Sequence, residues 1–178
     1  LSLDESLLFQ QIRKSYKSLI NWGKKNITLK IYDASTIQEN DIEYFRQLHI
    51  QAAGCITRSL ETWKLQYKMI CHGEAFLILG RLDNELVTAA LFPYSPKYCF
   101  YGVSASNRKL FDKPLSHVIL WEAILYAKKL GCSFFEMGLQ LYLNQNPSAS
   151  TKELNISTFK RGFGGETRVW LNMNWKAE

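Results

Sequence analysis

The spacing of apolar residues changes several times along the chain, and each change marks a predicted element. Over 2–23, apolar side chains recur at three- and four-residue steps until Gly23, which predicts one amphipathic helix. Residues 27–32 alternate between apolar and polar, as a half-buried strand does. Helical spacing returns over 36–53 and 60–71. The first part of the chain therefore predicts a helix, a strand and two more helices.

Three apolar segments of strand length follow, at 75–81, 86–94 and 98–103. Asp83 and Asn84 separate the first two segments, and a second short polar turn separates the last two. Turns this short join antiparallel neighbours, so we expect two consecutive hairpins.

The rest of the sequence predicts a crossover. Residues 115–130 are largely apolar and predict a helix that ends at Gly131, and 133–137 predicts a buried strand. A short helix at 152–159 and a last strand at 167–175 complete the pattern. Because a helix that links two strands of one sheet makes them parallel, we expect an α+β (α/β sandwich) fold, with a mixed, mostly antiparallel sheet and helices on both faces.

The composition agrees with a globular fold. Hydrophobic residues make up 47% of the 178 residues, which suffices for one domain with a sizeable core. No apolar stretch approaches the roughly 20 residues that span a bilayer. The chain has no basic leader and no initiator methionine, so we expect a leading helix over 1–26 and, over 27–178, the C-terminal domain of a longer protein. The core is expected to contain four tryptophans: Trp63, Trp121, Trp170 and Trp175.

The cysteines give no sign of a metal site. Cys55, Cys71, Cys99 and Cys132 are scattered, and no histidine lies at metal-ligand spacing from them. Cys99 and Cys132 fall in apolar segments, which favours buried thiols and a reduced, cytoplasmic protein.

The positive charge is concentrated near the start. The net charge is +6, and five cations of the leading helix lie in one stretch without an acid: Arg13, Lys14, Lys17, Lys24 and Lys25. Such a surplus fits an anionic partner such as RNA, a nucleotide or a phosphorylated lipid head group, and it fits a solvated helix face equally well.

A run of cations, glycines and aromatics precedes the last predicted strand. It consists of Phe159, Lys160, Arg161, Gly162, Phe163, Gly164 and Gly165. Two interpretations remain open. The glycines and basic residues suit the C-terminus of a helix, where cations face the negative end of the dipole. They also suit a tight corner that binds a phosphate or a developing oxyanion.

The order of elements resembles the acyltransferase fold called GNAT, in which the acyl donor inserts between two splayed strands, here 98–103 and 133–137. Within that fold, four segments resemble the Fem-type peptidoglycan-bridge aminoacyltransferases. They are the basic helix 12–20, the tyrosine and small residues at 101–106, the helix and strand over 117–138, and the corner 159–165, which is the most specific.

The resemblance implies transfer of an aminoacyl or acyl group onto an amine, with aminoacyl-tRNA as donor and a cell-wall precursor as acceptor. Lys160 would then stabilise the tetrahedral oxyanion, Phe159 would shape the channel, and Arg161, Gly162 and Gly164 would fix the corner. The sequence departs from the family in having one domain and a longer loop at 139–150. Loop variation of this kind usually changes the substrate rather than the reaction.

Three further side chains are candidates for proton transfer or substrate binding. Glu136 ends a predicted buried strand, where a carboxylate of raised pKa would accept a proton from the amine; the alternative is a glutamate bound to a helix N-terminus. Tyr101 is a candidate acid or orienting hydroxyl, although an aromatic residue in a strand usually packs. His117, early in its helix, is a candidate base or an ordinary helix histidine.

The acetyl-CoA branch of the fold gives a second hypothesis, a CoA-dependent N-acyltransferase acting for example on amino sugars. That branch binds pyrophosphate with a glycine-rich loop before a helix. The equivalent stretch here has no glycine, although Ser104, Ser106 and Arg108 could meet phosphate. A third hypothesis is an inert module of this fold that only docks an acceptor or RNA.

Overall fold

A computed structural model describes residues 1–146, 148–169 and 173–175 of the chain. The helices are α1 (Glu5–Gln11), α2 (Lys14–Asn26), α3 (Glu39–Ala53), α4 (Leu60–Cys71), α5 (Leu115–Lys129) and α6 (Thr151–Arg161), with a 3₁₀ turn at Arg108–Leu110. The strands are β1 (Thr28–Tyr32), β2 (Ala75–Leu82), β3 (Glu85–Pro93), β4 (Tyr98–Phe100), β5 (Ser104–Ser106) and β6 (Phe134–Glu136).

The strands form a mixed, mostly antiparallel arrangement, as predicted. The antiparallel part has the order β1-β2-β3-β5, whereas β4 and β6 pair in parallel through the α5 crossover. Asp83 and Asn84 both have positive φ, 50° and 68°, which is the backbone of a two-residue hairpin between β2 and β3.

Helices cover both faces of this sheet. Phe76 and Ile78 of β2 pack with Ile20 of α2 and Leu120 of α5. The alternate residues Leu77 and Leu79 pack on the other face, with side chains of α3 and α4. Because both faces are buried, the central strands β2 and β3 carry long apolar runs rather than the alternation of a half-exposed strand such as β1.

The leading helix differs from its prediction. The single helix expected over 2–23 is wrong, because the chain becomes extended at Ile12 and continues as α2. The extension lets the Arg13 amide donate to the Gly162 carbonyl at 2.9 Å, so that a tertiary hydrogen bond replaces a helical one. Nor does Gly23 end the helix: it lies inside α2 where α5 crosses, and a Cβ there would stand 2.5 Å from Val118. The boundary between 1–26 and 27–178 stays a prediction.

Two strand predictions also need revision. The strand expected over 98–103 ends at Phe100 as β4, and an additional strand, β5, begins at Ser104, because the chain changes partners between them. Of the last strand, expected over 167–175, the described residues 167–169 and 173–175 have no strand conformation, and the other three lie outside the described residues.

The predicted core is largely in place. Trp63 and Trp121 are buried, but the burial expected of Trp175 is wrong: it is 93% exposed, in a segment without regular structure that packs on nothing described. Trp170 lies outside the described residues. Cys99 and Cys132 are buried free thiols, as predicted, whereas Cys55 and Cys71 are exposed. No helix of the described chain is both long and apolar enough to cross a membrane.

Candidate functional site

An opening forms where the chain after β6 parts from the strand beside it. The Tyr101 amide donates to the Glu136 carbonyl at 2.9 Å, immediately after β4 and β6 end. Beyond this bond, β5 continues along β3, whereas the chain after β6 turns at Gly138, whose φ is +75°. The positive φ explains why a glycine stands at this position.

At every second residue of β5, the backbone amide and carbonyl groups point into the opening. The Leu91 amide donates to the Val103 carbonyl and the Asn107 amide to the Val87 carbonyl, both at 2.8 Å. Because the bonds of an antiparallel ladder alternate, the amide and carbonyl groups of Ser104 and Ser106 point away from β3. A ligand in the opening would therefore meet unpaired backbone groups along one wall.

Lys160 reaches the closed end of the opening from α6. Its Nζ lies above Gly138, where a Cβ would stand 3.3 Å from the nitrogen and 3.4 Å from the ring of Phe100. Glycine is thus the residue that leaves room for the lysine. Burial lowers the pKa of the Lys160 ammonium, and no carboxylate of the described chain forms a salt bridge with it. The cation is therefore available to a ligand.

Tyr101 lies beside the same opening with its hydroxyl 2.7 Å from Ser104 Oγ. Burial raises the pKa of the Tyr101 phenol, and the hydrogen bond with Ser104 opposes this only in part. A phenol of raised pKa stays protonated, so Tyr101 is equipped to donate a proton rather than to accept one.

A second hydroxyl cluster leads from the sheet to the start of α5. Ser106 Oγ lies 2.9 Å from Thr88 Oγ1 and 3.1 Å from Ser116 Oγ. Ser104, Ser106, Arg108 and Ser116 also line a cavity of about 260 Å³, which α3 closes on the far side. The cavity combines a helix N-terminus, hydroxyls and a cation, a combination that suits a phosphate group.

Glu136 does not have the surroundings expected of it. Its side chain is exposed, so the prediction of a buried carboxylate is wrong. Phe134 and Phe135 of β6 are half-buried, whereas Glu136 ends the strand at a point that no described element covers. Its proposed catalytic role stays a prediction.

His117 lies in an aromatic cluster rather than beside Lys160's ammonium. Its ring meets Tyr16 and Phe159 edge-on, with centroids 4.5 and 5.2 Å apart, and Phe163 at 6.1 Å. Both ring nitrogens are buried without a hydrogen-bond partner in the described chain, and burial lowers the pKa of the imidazole. A neutral, packed histidine supports the wall that carries Phe159.

The corner 159–165 divides into two parts with different surroundings. Lys160 faces the opening, whereas Gly162 and Gly164 pack against the N-terminal segment: a Cβ would stand 2.1 Å from the Tyr16 ring at Gly162 and 3.1 Å from the Gln11 carbonyl at Gly164. Phe159 accepts a hydrogen bond from Tyr16 Oη at 3.4 Å through its carbonyl. These contacts give the two glycines a packing function.

Sequence reasoning identified Lys160, Tyr101 and the β5 serines, which the fold gathers around one opening. It missed Phe100, Gly138 and Ser116, which complete the walls. A glycine directly after the predicted strand 133–137 was the signal available for Gly138. Phe100 and Ser116 carried no such signal, because their neighbours are distant in sequence.

The order of the strands and helices, with the opening between β5 and β6, is that of the GNAT acyltransferase fold, which FemX shares. The chain superposes on the crystal structure of FemX with a TM-score of 0.73 at 14% identity. The match covers 91% of this chain and 56% of FemX, so the chain spans just over half the length of that protein.

Acetyltransferases of the same fold also match. One is AAC(6')-Iy in complex with the bisubstrate analogue CoA-S-monomethyl-acetylneamine, with a TM-score of 0.62, 9% identity, and coverage of 85% of this chain and 98% of that one. Another is a ribosomal-protein-alanine N-acetyltransferase from Brucella melitensis biovar Abortus 2308, with a TM-score of 0.58, 10% identity, and coverage of 85% and 99%. No family model and no curated protein matches the sequence.

Proposed function

We propose that this domain transfers an acyl or aminoacyl group from a phosphate-bearing carrier to an amine. The observation that carries the proposal is the opening between β5 and β6, which has the Lys160 ammonium at its closed end and the Arg108 cavity along its β5 wall. An acyl ester or thioester held in this opening would bring its carbonyl towards Lys160, with its phosphates beside the start of α5.

Lys160 would stabilise the oxyanion that forms when the amine attacks the carbonyl. The attack places negative charge on the carbonyl oxygen, and a fixed cation lowers the energy of that state. Because Lys160 has no described acidic partner, its charge is not already neutralised. Partial burial strengthens the interaction by reducing screening from water.

Tyr101 would donate a proton to the leaving group. Collapse of the tetrahedral intermediate expels an alkoxide or thiolate, which needs a proton. The Tyr101 hydroxyl is kept protonated by its raised pKa and is oriented by Ser104 at 2.7 Å. Glu136, exposed on β6, would be the acceptor of the amine's proton only through solvent.

Two carriers have the required phosphate. The Fem-type hypothesis takes aminoacyl-tRNA as donor and a cell-wall precursor as acceptor, and it is supported by the likeness to FemX and by the lack of glycine between Ser104 and Lys109. The acyl-CoA hypothesis is supported by the cavity beside α5 and by the CoA analogue bound to AAC(6')-Iy. The exposed cations Lys14, Lys24 and Lys25 of α2 would add to the affinity for a tRNA.

Parallel titrations of the folded chain with acetyl-CoA and with a charged tRNA test the proposal. Saturable binding of either carrier, weakened by Arg108→Gln and unaffected by Lys68→Gln at an exposed position on α4, supports acyl transfer and identifies the donor. Affinity for the tRNA would also fall steeply with salt, because counterions are released from its phosphates. Binding of neither carrier, or binding that Arg108→Gln leaves unchanged, would overturn the proposal.

A further inference from the structure

A second cavity lies beneath the loop that follows β6. It encloses about 470 Å³ between residues 141–144 and one side of α6. Leu141, Leu143 and Leu154 supply apolar side chains to its wall. This is the loop whose length distinguishes the sequence from the Fem-type pattern, and the opening described above does not use it.

Arg161 is the charged residue of this cavity, and it is held in place at three points. Its Nη1 donates to the Leu141 carbonyl at 3.3 Å and its Nη2 to Thr158 Oγ1 at 3.1 Å. The guanidinium also lies 4.7 Å from the centre of the Tyr142 ring. A guanidinium oriented in this way has lost its side-chain freedom before a ligand arrives, which favours tight binding of an anion.

A second guanidinium converges on the same residue. Arg13 Nη2 donates to the Thr158 carbonyl at 3.3 Å, so both arginines bind the same turn of α6. Neither has a carboxylate partner within salt-bridge distance in the described part of the chain. Two guanidinium groups bound to one turn of a helix without a counterion favour binding of an anion near that turn.

We infer that this cavity binds the anionic group of the acceptor, a carboxylate or a phosphate, while an apolar part of the acceptor packs against the three leucines. The identification of the ligand as the acceptor rests on the proposed function, whereas the anion site itself does not. Gly138 lies beneath Lys160 and the Leu141 carbonyl binds Arg161, so one short segment connects the two side chains. An acceptor whose anionic group binds Arg161 would therefore extend its amine towards the donor carbonyl beside Lys160.

Binding of short probe molecules tests this site without requiring acyl transfer. Hexanoate, hexyl phosphate and hexanol would be titrated calorimetrically at low ionic strength. We expect binding of at least one anionic probe and at least tenfold weaker binding of hexanol, since a charge-assisted hydrogen bond is worth more than a neutral one. The preferred anion identifies the chemistry of the acceptor.

Two variants separate charge from folding. Arg161→Gln should weaken anion binding at least tenfold, but it also removes the bond to Leu141. Leu143→Glu keeps that bond and places a carboxylate in the cavity at a side chain that is 65% exposed, so it should abolish anion binding without unfolding the chain. Leu65→Glu makes the same charge change at an exposed position on α4 and should leave binding unchanged.

The outcomes are distinct from those of the carrier titrations. If neither hexanoate nor hexyl phosphate binds more tightly than hexanol, or if anion binding survives Leu143→Glu, the anion site is overturned. Anion binding that Leu143→Glu abolishes would establish the site even if neither acetyl-CoA nor tRNA binds, in which case the proposed function alone fails.

Discussion

The stretch from Tyr98 to Ser106 contains two short strands with opposite surroundings. β4 pairs with β6 in parallel on one edge and forms a bridge from Cys99 to Tyr94 on the other, and Cys99 is fully buried in the core. β5 pairs with β3, and among the described residues its other edge meets no strand. The two differ in composition as well: Tyr-Cys-Phe in β4 and Ser-Ala-Ser in β5. Both edges of β4 therefore have hydrogen-bonding neighbours, whereas β5 leaves the backbone groups of one edge and its serine hydroxyls for a ligand.

The difference shows how a site arises without a dedicated domain. A strand edge that is neither paired nor covered must find other hydrogen-bond partners. Here the edge is short, lined with serines and bounded by the Lys160 ammonium, so a small polar ligand fits it better than another strand does. The chemistry is therefore expected at the point where the two strands meet.

Removing the cation at this point should have the largest effect. Lys160→Met is expected to reduce kcat by about 100-fold or more, equivalent to about 3–4 kcal/mol of lost transition-state stabilisation. Steady-state kinetics with the carrier identified by titration would measure it, with thermal unfolding as a check on folding. Lys152→Met, at an exposed position of the same helix, is the matched control and should retain full activity. Equal activity of the two variants would mean that Lys160 has no part in the reaction, as expected of a domain that only binds.

A pair of substitutions compares the two strands directly. Cys99→Ser places a hydroxyl in the apolar core and should lower the free energy of unfolding by about 1–3 kcal/mol. Ser104→Ala is at an exposed position and should change it by less than about 0.5 kcal/mol. Ser104→Ala should instead lower kcat, because Tyr101 loses the partner that orients it. Urea unfolding of both variants would measure the difference, and similar losses of stability would contradict the comparison.

Much of the fold follows from local patterns in the sequence. The boundaries of α4 match the prediction because helical spacing is interrupted by polar turns on both sides. The Asp83–Asn84 hairpin was predictable because these residues tolerate positive φ. The break at Ile12 was not predictable, because its cause is a hydrogen bond from Arg13 to Gly162, at the other end of the chain.

The candidate site was predictable only in part, for the same reason. Lys160 was selected by resemblance, and its role stays a prediction. The glycine beneath it and the ring beside it come from two different strands, and only the fold brings them together. Exposure of Glu136 depends on what packs over its side chain, which no local pattern of residues reveals. The arginines at Thr158 were likewise visible in the sequence only as scattered cations.

The pH dependence of the reaction gives a smaller but specific test of the closed end of the opening. Burial lowers the pKa of Lys160 from its ordinary value of 10.5, so the ammonium is lost at a lower pH than in an exposed lysine. If the charged form stabilises the oxyanion, kcat should fall tenfold per pH unit once the pH exceeds that lowered pKa. Titration of Lys160 would not cause such a loss by unfolding the chain: the unfolded chain keeps its lysine proton up to a higher pH, so this group's contribution to the free energy of unfolding rises over the same interval. Lys160→Arg is the informative variant, because a guanidinium does not titrate in this range and the alkaline fall should disappear or move upward. An alkaline fall that stays at the same pH in Lys160→Arg would assign it to another group, such as the Tyr101 phenol, and would leave Lys160 without a role as the cation.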